Sequence, residues 1–210
     1  TMTAYTFDPT ILREYDIRGV VGQTLNVSDA KAVGQSFGSI VKRDGGTHVC
    51  VAYDGRHSSP ALEAALVEGL LSTGLNVTRI GLGPTPMLYF SVKHLQADAG
   101  IMITGSHNPP DHNGIKMMRL KFPVYGEQIQ EIGRVSAAGQ FEVGNGTAST
   151  LDLRQTYVER LLQDYEGKRD LTVVWDAGNG ATGEILERLV AKLPGKHHVL
   201  FSKIDGDFPN

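Results

Sequence analysis

One run of residues carries most of the chemistry this sequence offers. Thr104-Gly105-Ser106-His107-Asn108-Pro109-Pro110-Asp111-His112-Asn113-Gly114-Ile115-Lys116 follows the apolar stretch Gly100-Ile101-Met102-Ile103. Gly105 permits a tight exit from a strand, Pro109 and Pro110 fix the backbone, and Ser106 sits between them. His107, Asn108 and Lys116 can present donors to an anion. A hydroxyl in such a setting can attack, be attacked, or carry phosphate. The plain alternative is a polar turn with a capping serine, and the density of rigid and polar residues speaks against it.

Other chemistries fit less well. A nucleophile elbow wants glycine two residues on either side of the serine; those positions hold Thr104 and Asn108. A zinc pair of His107 and His112 on a helix is broken by Pro109 and Pro110. Cys50 lies inside the apolar run His48-Val49-Cys50-Val51-Ala52 and reads as core. Gly178-Asn179-Gly180-Ala181-Thr182-Gly183 satisfies the dinucleotide pattern G-x-G-x-x-G and keeps an NAD-binding module open as an alternative. Against it, Asp176 would bring a carboxylate towards the pyrophosphate. Glu184 after Gly183 removes the Walker reading, which needs lysine there.

The elements that must position Ser106 are legible as alternating units. An extended start runs from Phe7 to Arg18. Ser28 to Arg43 carries Ala32, Val33, Phe37, Ile40 and Val41 at helical spacing, with Ser28 available as N-cap. Strand His48 to Tyr53 leads through Asp54-Gly55-Arg56 to helix Pro60 to Leu71, ending at Gly74. Strand Asn76 to Ile80, loop Gly81 to Pro86, helix Met87 to Leu95 and strand Ala99 to Thr104 repeat the unit. Ala137 to Thr150 has no periodicity and reads as a linker. A helix carrying Leu153, Tyr157, Leu161 and Leu162, a strand Leu171 to Trp175, a helix through Val190 and a strand His198 to Ile204 follow. The expected fold class is α/β: a three-layer α/β/α domain with a mainly parallel mixed sheet over residues 1–150, then the start of a second similar unit over 151–210. Ligands are then expected at loops that follow strands.

The bulk numbers add exclusions. Among 210 residues, 40% are hydrophobic and 20% charged, and no apolar run approaches the ~20 residues of a membrane-spanning helix. A net charge of −3 with scattered Lys and Arg leaves no footprint for nucleic acid or an anionic membrane. The single cysteine and the absence of a basic-then-apolar start favour the cytoplasm. Thr1 ahead of Met2 looks like a cloning remnant and is set aside.

At this point a resemblance becomes specific. Thr104-Gly105-Ser106-His107-Asn108-Pro109-Pro110 followed by Asn113-Gly114-Ile115-Lys116 resembles the phosphoserine loop of the α-D-phosphohexomutases, the phosphoglucomutase/phosphomannomutase family. Arg13-Glu14-Tyr15-Asp16-Ile17-Arg18-Gly19, Asp54-Gly55-Arg56 with Ser58 and Ser59, Gly83-Pro84-Thr85-Pro86 and Asp176 to Gly183 are similar to further family segments in the same order. The resemblance implies a phosphoryl shuttle in which phospho-Ser106 phosphorylates a hexose monophosphate and recovers the other phosphate from the bound bisphosphate. It implies His107, Lys116 and Arg18 beside the transferred group, with Lys116 the better candidate for proton transfer. It further implies Arg13, Tyr15 and Asn108 as substrate or phosphate contacts, Mg²⁺ held in part by the phosphate on Ser106, and a hexose 1,6-bisphosphate as activator. The family's Asp-Gly-Asp-Gly-Asp-Arg metal loop is absent, and Asp205-Gly206-Asp207-Phe208-Pro209 resembles a segment preceding it, so that run is not assigned to metal. The remaining partners expected are the C-terminal domains of the same protein. Full turnover is not expected of these residues alone, and the unfinished second unit is expected to promote self-association. A non-catalytic phosphosugar-binding module remains the other alternative.

Overall fold

In the computed structural model the structure describes residues 3–210; Thr1, set aside above, and Met2 lie outside the described residues. A 3₁₀ turn, Pro9–Ile11, interrupts the expected extended start, because Asp8 accepts from the Thr10 amide at 2.9 Å and Pro9 presets the backbone. Strand β1 (Ile17–Val20) and helix α1 (Val27–Arg43) follow. The cap of α1 is Asn26 rather than Ser28: the Asp29 carboxylate reaches back to the Asn26 amide at 2.7 Å, the reciprocal arrangement that a carboxylate three residues on allows.

The expected alternation then appears as β2 (His48–Tyr53), α2 (Ser59–Ser72), β3 (Asn76–Leu82), α3 (Thr85–His94) and β4 (Ala99–Ile103). Helix α3 starts at Thr85, ahead of the expected Met87, because Pro86 fits the first turn, where its missing N–H is not needed. Residues 113–116, read above as loop, belong to β5 (His112–Arg119), and Lys116 therefore projects from a strand. The two-residue β6 (Phe122–Pro123) and α4 (Glu127–Ala138) complete this stretch. The linker expected over Ala137 to Thr150 is a linker only in part: Gly139, at φ +64°, closes α4, and β7 (Ala148–Thr150) pairs with β3.

The sheet runs β1-β5-β4-β2-β3-β7, with β6 beside β5. Pairs β4–β2, β2–β3 and β3–β7 are parallel, whereas β5 is antiparallel to β1, β4 and β6, so β5 alone opposes the common direction. Side-chain alternation divides the core between two faces. Val49, Val51, Ile101 and Ile103 pack under α1, α2 and α4, with Phe37, Leu66, Leu70 and Ile132. Cys50, Ala52 and Met102 face α3, with Met87, Leu88 and Val92.

The second face is finished by residues beyond 150. α5 (Arg154–Gln163) contributes Leu153 ahead of it with Tyr157 and Val158, and Ile185 arrives from α6 (Gly183–Val190). The layers are thus helix, sheet, helix, and the later residues supply part of the outer layer. A separate parallel pair, β8 (Thr172–Asp176) and β9 (Lys196–Leu200), forms a two-stranded sheet of its own. Strand β9 stops at Leu200 rather than reaching Ile204, because Phe201 turns out of the strand at φ +52°.

Candidate active site

Strands β2, β3 and β4 end side by side, and the loops leaving them share one cleft of about 280 Å³. Asp54 and Gly55 follow β2, Pro84 to Pro86 follow β3, and Thr104, Ser106 and His107 follow β4. Lys116 enters from β5, where it pairs with Met102 across the antiparallel ladder. Gly180 to Thr182, at the start of α6, and Phe208 line the cleft from the later residues. This is the carboxyl-end position where open α/β sheets bind ligands.

Ser106 is exposed and holds a left-handed backbone, φ +55°, a conformation that costs a non-glycine residue about 1–2 kcal/mol. Its amide donates to the Thr104 hydroxyl at 3.0 Å. Its own Oγ has no hydrogen-bond partner among the described residues, so no ring nitrogen or carboxylate is placed to take its proton. His107 and Lys116 likewise have no hydrogen-bond or ion-pair partner among the described residues. The cleft therefore presents a hydroxyl, an ammonium and an imidazole to whatever enters it.

The loop that presents them is fastened from beneath. Arg56 is buried, and its guanidinium donates to the carbonyls of Ser106 (3.0 Å), Asn108 (2.8 Å), Pro109 (2.6 Å) and His112 (3.0 Å) and to Asp54 Oδ2 (3.2 Å). Asp54 also accepts from the Gly105 amide at 3.2 Å and the Ser59 hydroxyl at 2.6 Å. Asn113 donates to the hydroxyls of Ser58 and Ser59 at 2.8 and 2.9 Å, locking the far end of the loop. The role expected of Gly105 takes a different form here: its φ is not left-handed, and it is glycine because the guanidinium of Arg56 fills the space a Cβ would need.

The cleft gathers Ser106, His107 and Lys116 but not the other residues singled out from sequence. Asn108 turns inward, its side-chain amide donating to the Gly105 carbonyl at 2.8 Å. Arg18 lies on β1 opposite Gly114 and forms an ion pair with Asp16 at 2.6 Å. Arg13 and Tyr15 are exposed on the turn before β1, Tyr15 at 76%. Arg56, Asp54 and Phe208 are the participants that sequence reasoning did not assign, although Asp54-Gly55-Arg56 stood among the quoted motifs.

The glycine-rich turn at Gly178 offers little to a pyrophosphate. The Gly178 amide is taken by the Asp176 carboxylate at 2.9 Å, and those of Asn179, Gly180 and Gly183 by the carbonyls of Phe201, Ala177 and Gly180. His57, Asp205 and Asp207 bring ligand atoms within 4.8 Å of one another, with His57 Nε2 at 3.0 Å from Asp207 Oδ1. That cluster lies largely in solvent and adds no reason to assign the run to metal.

A family profile described as phosphoglucomutase/phosphomannomutase, alpha/beta/alpha domain I, matches residues 9–142, which include every strand-end loop of the cleft from β2 to β5. The chain belongs to the phosphoglucomutase/phosphomannomutase family. It is 37% identical over 210 residues to a phosphomannomutase/phosphoglucomutase of Pseudomonas aeruginosa, covering 100% of this chain and 45% of that protein. It is also 37% identical over 202 residues to a phosphoglucomutase of Neisseria meningitidis serogroup B, covering 95% and 44%. A crystal structure of a phosphoglucomutase/phosphomannomutase family protein from Burkholderia thailandensis superposes with a TM-score of 0.92 at 41% identity, over 98% of this chain and 46% of that one. The chain thus spans somewhat less than half the length of the curated relatives it matches. No helix among the described residues is long and apolar enough to cross a membrane.

Proposed function

We propose that this chain is the phosphate-carrying portion of a phosphohexomutase, with Ser106 as the carrier and a hexose phosphate as the substrate. The observation that carries the reading is the combination at Ser106: an exposed Oγ with no base aimed at it, on a loop clamped by a buried arginine, in one cleft with Lys116 and His107. A hydrolase would need its serine activated. A phosphate carrier needs the serine fixed and cations around the transferred group, because phosphoryl transfer is mostly positioning and electrostatics.

In the transfer, the bond between phosphorus and Ser106 Oγ breaks as a bond to a sugar hydroxyl forms; the sugar hydroxyl gives up its proton and the departing Ser106 Oγ takes one up. Lys116 is the group we assign either to that proton transfer or, as an ammonium, to neutralising the phosphoryl oxygens, with His107 beside it. Return of the other phosphate from a hexose bisphosphate regenerates the carrier, and added hexose 1,6-bisphosphate would prime it. Arg18 is assigned an electrostatic role that requires it to loosen from Asp16. Arg13 and Tyr15 are assigned to substrate, and Asn108 acts through the loop it braces. The division into residues 1–150 and 151–210 belongs to the same proposal, the second stretch being the start of another α/β unit.

Mg²⁺ would shield the equatorial phosphoryl oxygens in such a reaction. The described residues do not form a complete site for it. Asp54 already accepts from two side chains and two amides, and a phosphate on Ser106 is the anchoring group we assign in the cleft. The other ligands and the rest of the substrate pocket are assigned to further domains of the same protein.

The test is intact-mass measurement and peptide mapping after incubation with a hexose 1,6-bisphosphate and Mg²⁺. The expected result is one added phosphate on Ser106, lost in Ser106→Ala. Absence of phosphate both in this chain and in the longer protein that carries the further domains, or equal uptake in Ser106→Ala, overturns the assignment.

A further inference from the structure

Arg56 is fully buried and has every donor in use. A guanidinium carries five N–H groups; here one meets Asp54 and four meet the carbonyls of Ser106, Asn108, Pro109 and His112, the successive corners of the serine loop. The ring of Phe208 lies over its Cζ, 5.2 Å from centroid to carbon. Phe208 belongs to the later residues, and the segment that carries it is seated on the loop that carries Arg56. His57 Nε2 meets Asp207 Oδ1 at 3.0 Å. A Cβ on the buried Gly206 would lie 2.9 Å from the Gly55 carbonyl oxygen and the His57 amide nitrogen, and one on Gly55 would overlap Ile204 Cγ2.

We propose that Arg56 is the positioning residue of the serine loop and that Phe208 controls its grip, so that Ser106 is correctly presented only while the segment Ile204 to Phe208 lies on Asp54-Gly55-Arg56-His57. The proposal rests on reading Ser106 as the phosphate carrier.

The physical chain runs from dielectric to geometry. Hydrogen bonds from a cation to neutral carbonyls are strong where water is excluded and weaken where water competes. The aromatic ring both excludes water and attracts the cation. With the ring removed, the four carbonyl bonds face solvent, and the left-handed backbone at Ser106 loses the restraint that opposes its relaxation. Lysine cannot substitute at position 56, since three donors on a point charge cannot meet four carbonyls and a carboxylate in one plane. Movement of the second α/β unit would then be transmitted to the carrier serine without any contact between that unit and Ser106 Oγ.

The experiment compares the native chain with Phe208→Leu and Arg56→Lys. It measures the rate of phosphate uptake by Ser106 from a hexose 1,6-bisphosphate with Mg²⁺, hydrogen exchange at residues 105–112, and thermal melting. Phe208 is partly exposed, so Phe208→Leu is expected to melt with the native chain. We expect it to slow uptake about tenfold at saturating bisphosphate, with the half-saturating concentration moved less than about twofold, as loss of orientation without loss of binding predicts. Exchange at 105–112 should quicken while exchange at Gly100 to Ile103 stays fixed; Arg56→Lys should show the same pattern more strongly. A merely structural role would lower the melting temperature and leave uptake by the folded protein unchanged. Uptake and loop exchange equal to native in Phe208→Leu overturn the proposal, whatever Arg56→Lys does to folding. If neither this chain nor the longer protein with the further domains takes phosphate, the carrier reading fails by itself, and exchange at 105–112 alone then decides whether Phe208 holds the loop.

Discussion

Gly105 and Arg56 share a space that admits only one side chain: a Cβ on Gly105 would overlap Cζ and Nε of the guanidinium and lie 2.8 Å from Nη1. The arginine can fasten the serine loop because the residue preceding Ser106 contributes backbone and nothing else. Gly105→Ala must therefore displace either the guanidinium or the loop. Overpacking of this kind costs about 1–3 kcal/mol, which for a chain of this size lowers the melting temperature by roughly 2–4 °C for each kcal/mol. The expected outcome is that drop together with loss of most phosphate uptake at Ser106, read by thermal melting and intact mass. An alanine variant that melts and takes phosphate like the native chain would show the guanidinium to be free to move.

A second prediction concerns Glu63, buried on α2 with Arg79 Nη2 at 2.7 Å from Oε1 but without the directed geometry of a hydrogen bond there. Burial pushes its pKa above the ordinary 4.5, and Arg79 pulls it back only in part. A folded pKa above the unfolded one means that the native state holds the proton more tightly. This carboxylate accordingly costs stability as pH rises past its unfolded pKa, and the cost is relieved on acidification. Arg79→Met removes the compensating charge, itself partly in solvent, and should destabilise by about 1–2 kcal/mol at neutral pH, with a smaller loss near pH ~5. Glu63→Gln should cost less than Arg79→Met at neutral pH. Urea denaturation of both variants at the two pH values measures this, and a loss at Arg79→Met that is independent of pH would contradict it.

The parts of this molecule that could be read from sequence are those written in local patterns. Val49, Cys50, Val51 and Ala52 announce a strand covered on both faces, and Val33, Phe37 and Ile40 announce a helix, because each pattern repeats within a few residues. The loop around Ser106 was legible for the same reason, its glycine, prolines and polar residues being contiguous. α4 buries Ile129, Ile132 and Val135 at helical spacing. β7 gave no such signal: its three residues are exposed at a sheet edge, so no alternation marks them.

Arg56 was illegible in a deeper sense. An arginine after Asp-Gly in a loop reads as a solvated charge, and the acceptors that allow it to be buried lie at residues 106, 108, 109 and 112, brought near only because β2 and β4 are neighbours in the sheet. Phe208 is hidden likewise, since an aromatic residue in an irregular segment carries no period. The ion pair of Arg18 with Asp16, by contrast, is local, its partners standing two positions apart in one motif.

A third prediction follows from Cys50, the free cysteine facing α3 in the second core face. Burial pushes its thiol up to about 11, against a small opposing effect of Ser91. The thiolate is the reactive form, so the native chain should resist a thiol reagent at mildly alkaline pH and react fully in denaturant. The labelling rate should rise with urea in parallel with unfolding. Rapid labelling of the native chain would mean that the face between the sheet and α3 opens without global unfolding.

The last prediction concerns the second sheet. β8 and β9 form a two-stranded parallel pair, and Val174 (64% exposed), Leu171, Leu200 and Phe201 present apolar surface beside it. A further hollow of about 450 Å³ among Leu161, Leu162, Val173, Trp175 and Leu193 is almost entirely apolar. Two strands alone are marginal in water, and their open edges are templates for pairing with another chain. These 210 residues in isolation are expected to self-associate through this face with increasing concentration. Val174→Lys places a charge on that face and should shift the sedimentation profile towards monomer without changing the phosphate taken up by Ser106, which is held by the first sheet. If the native chain sediments as a monomer at all concentrations and melts in one cooperative step, the exposed apolar surface of β8 and β9 is not an adhesive one.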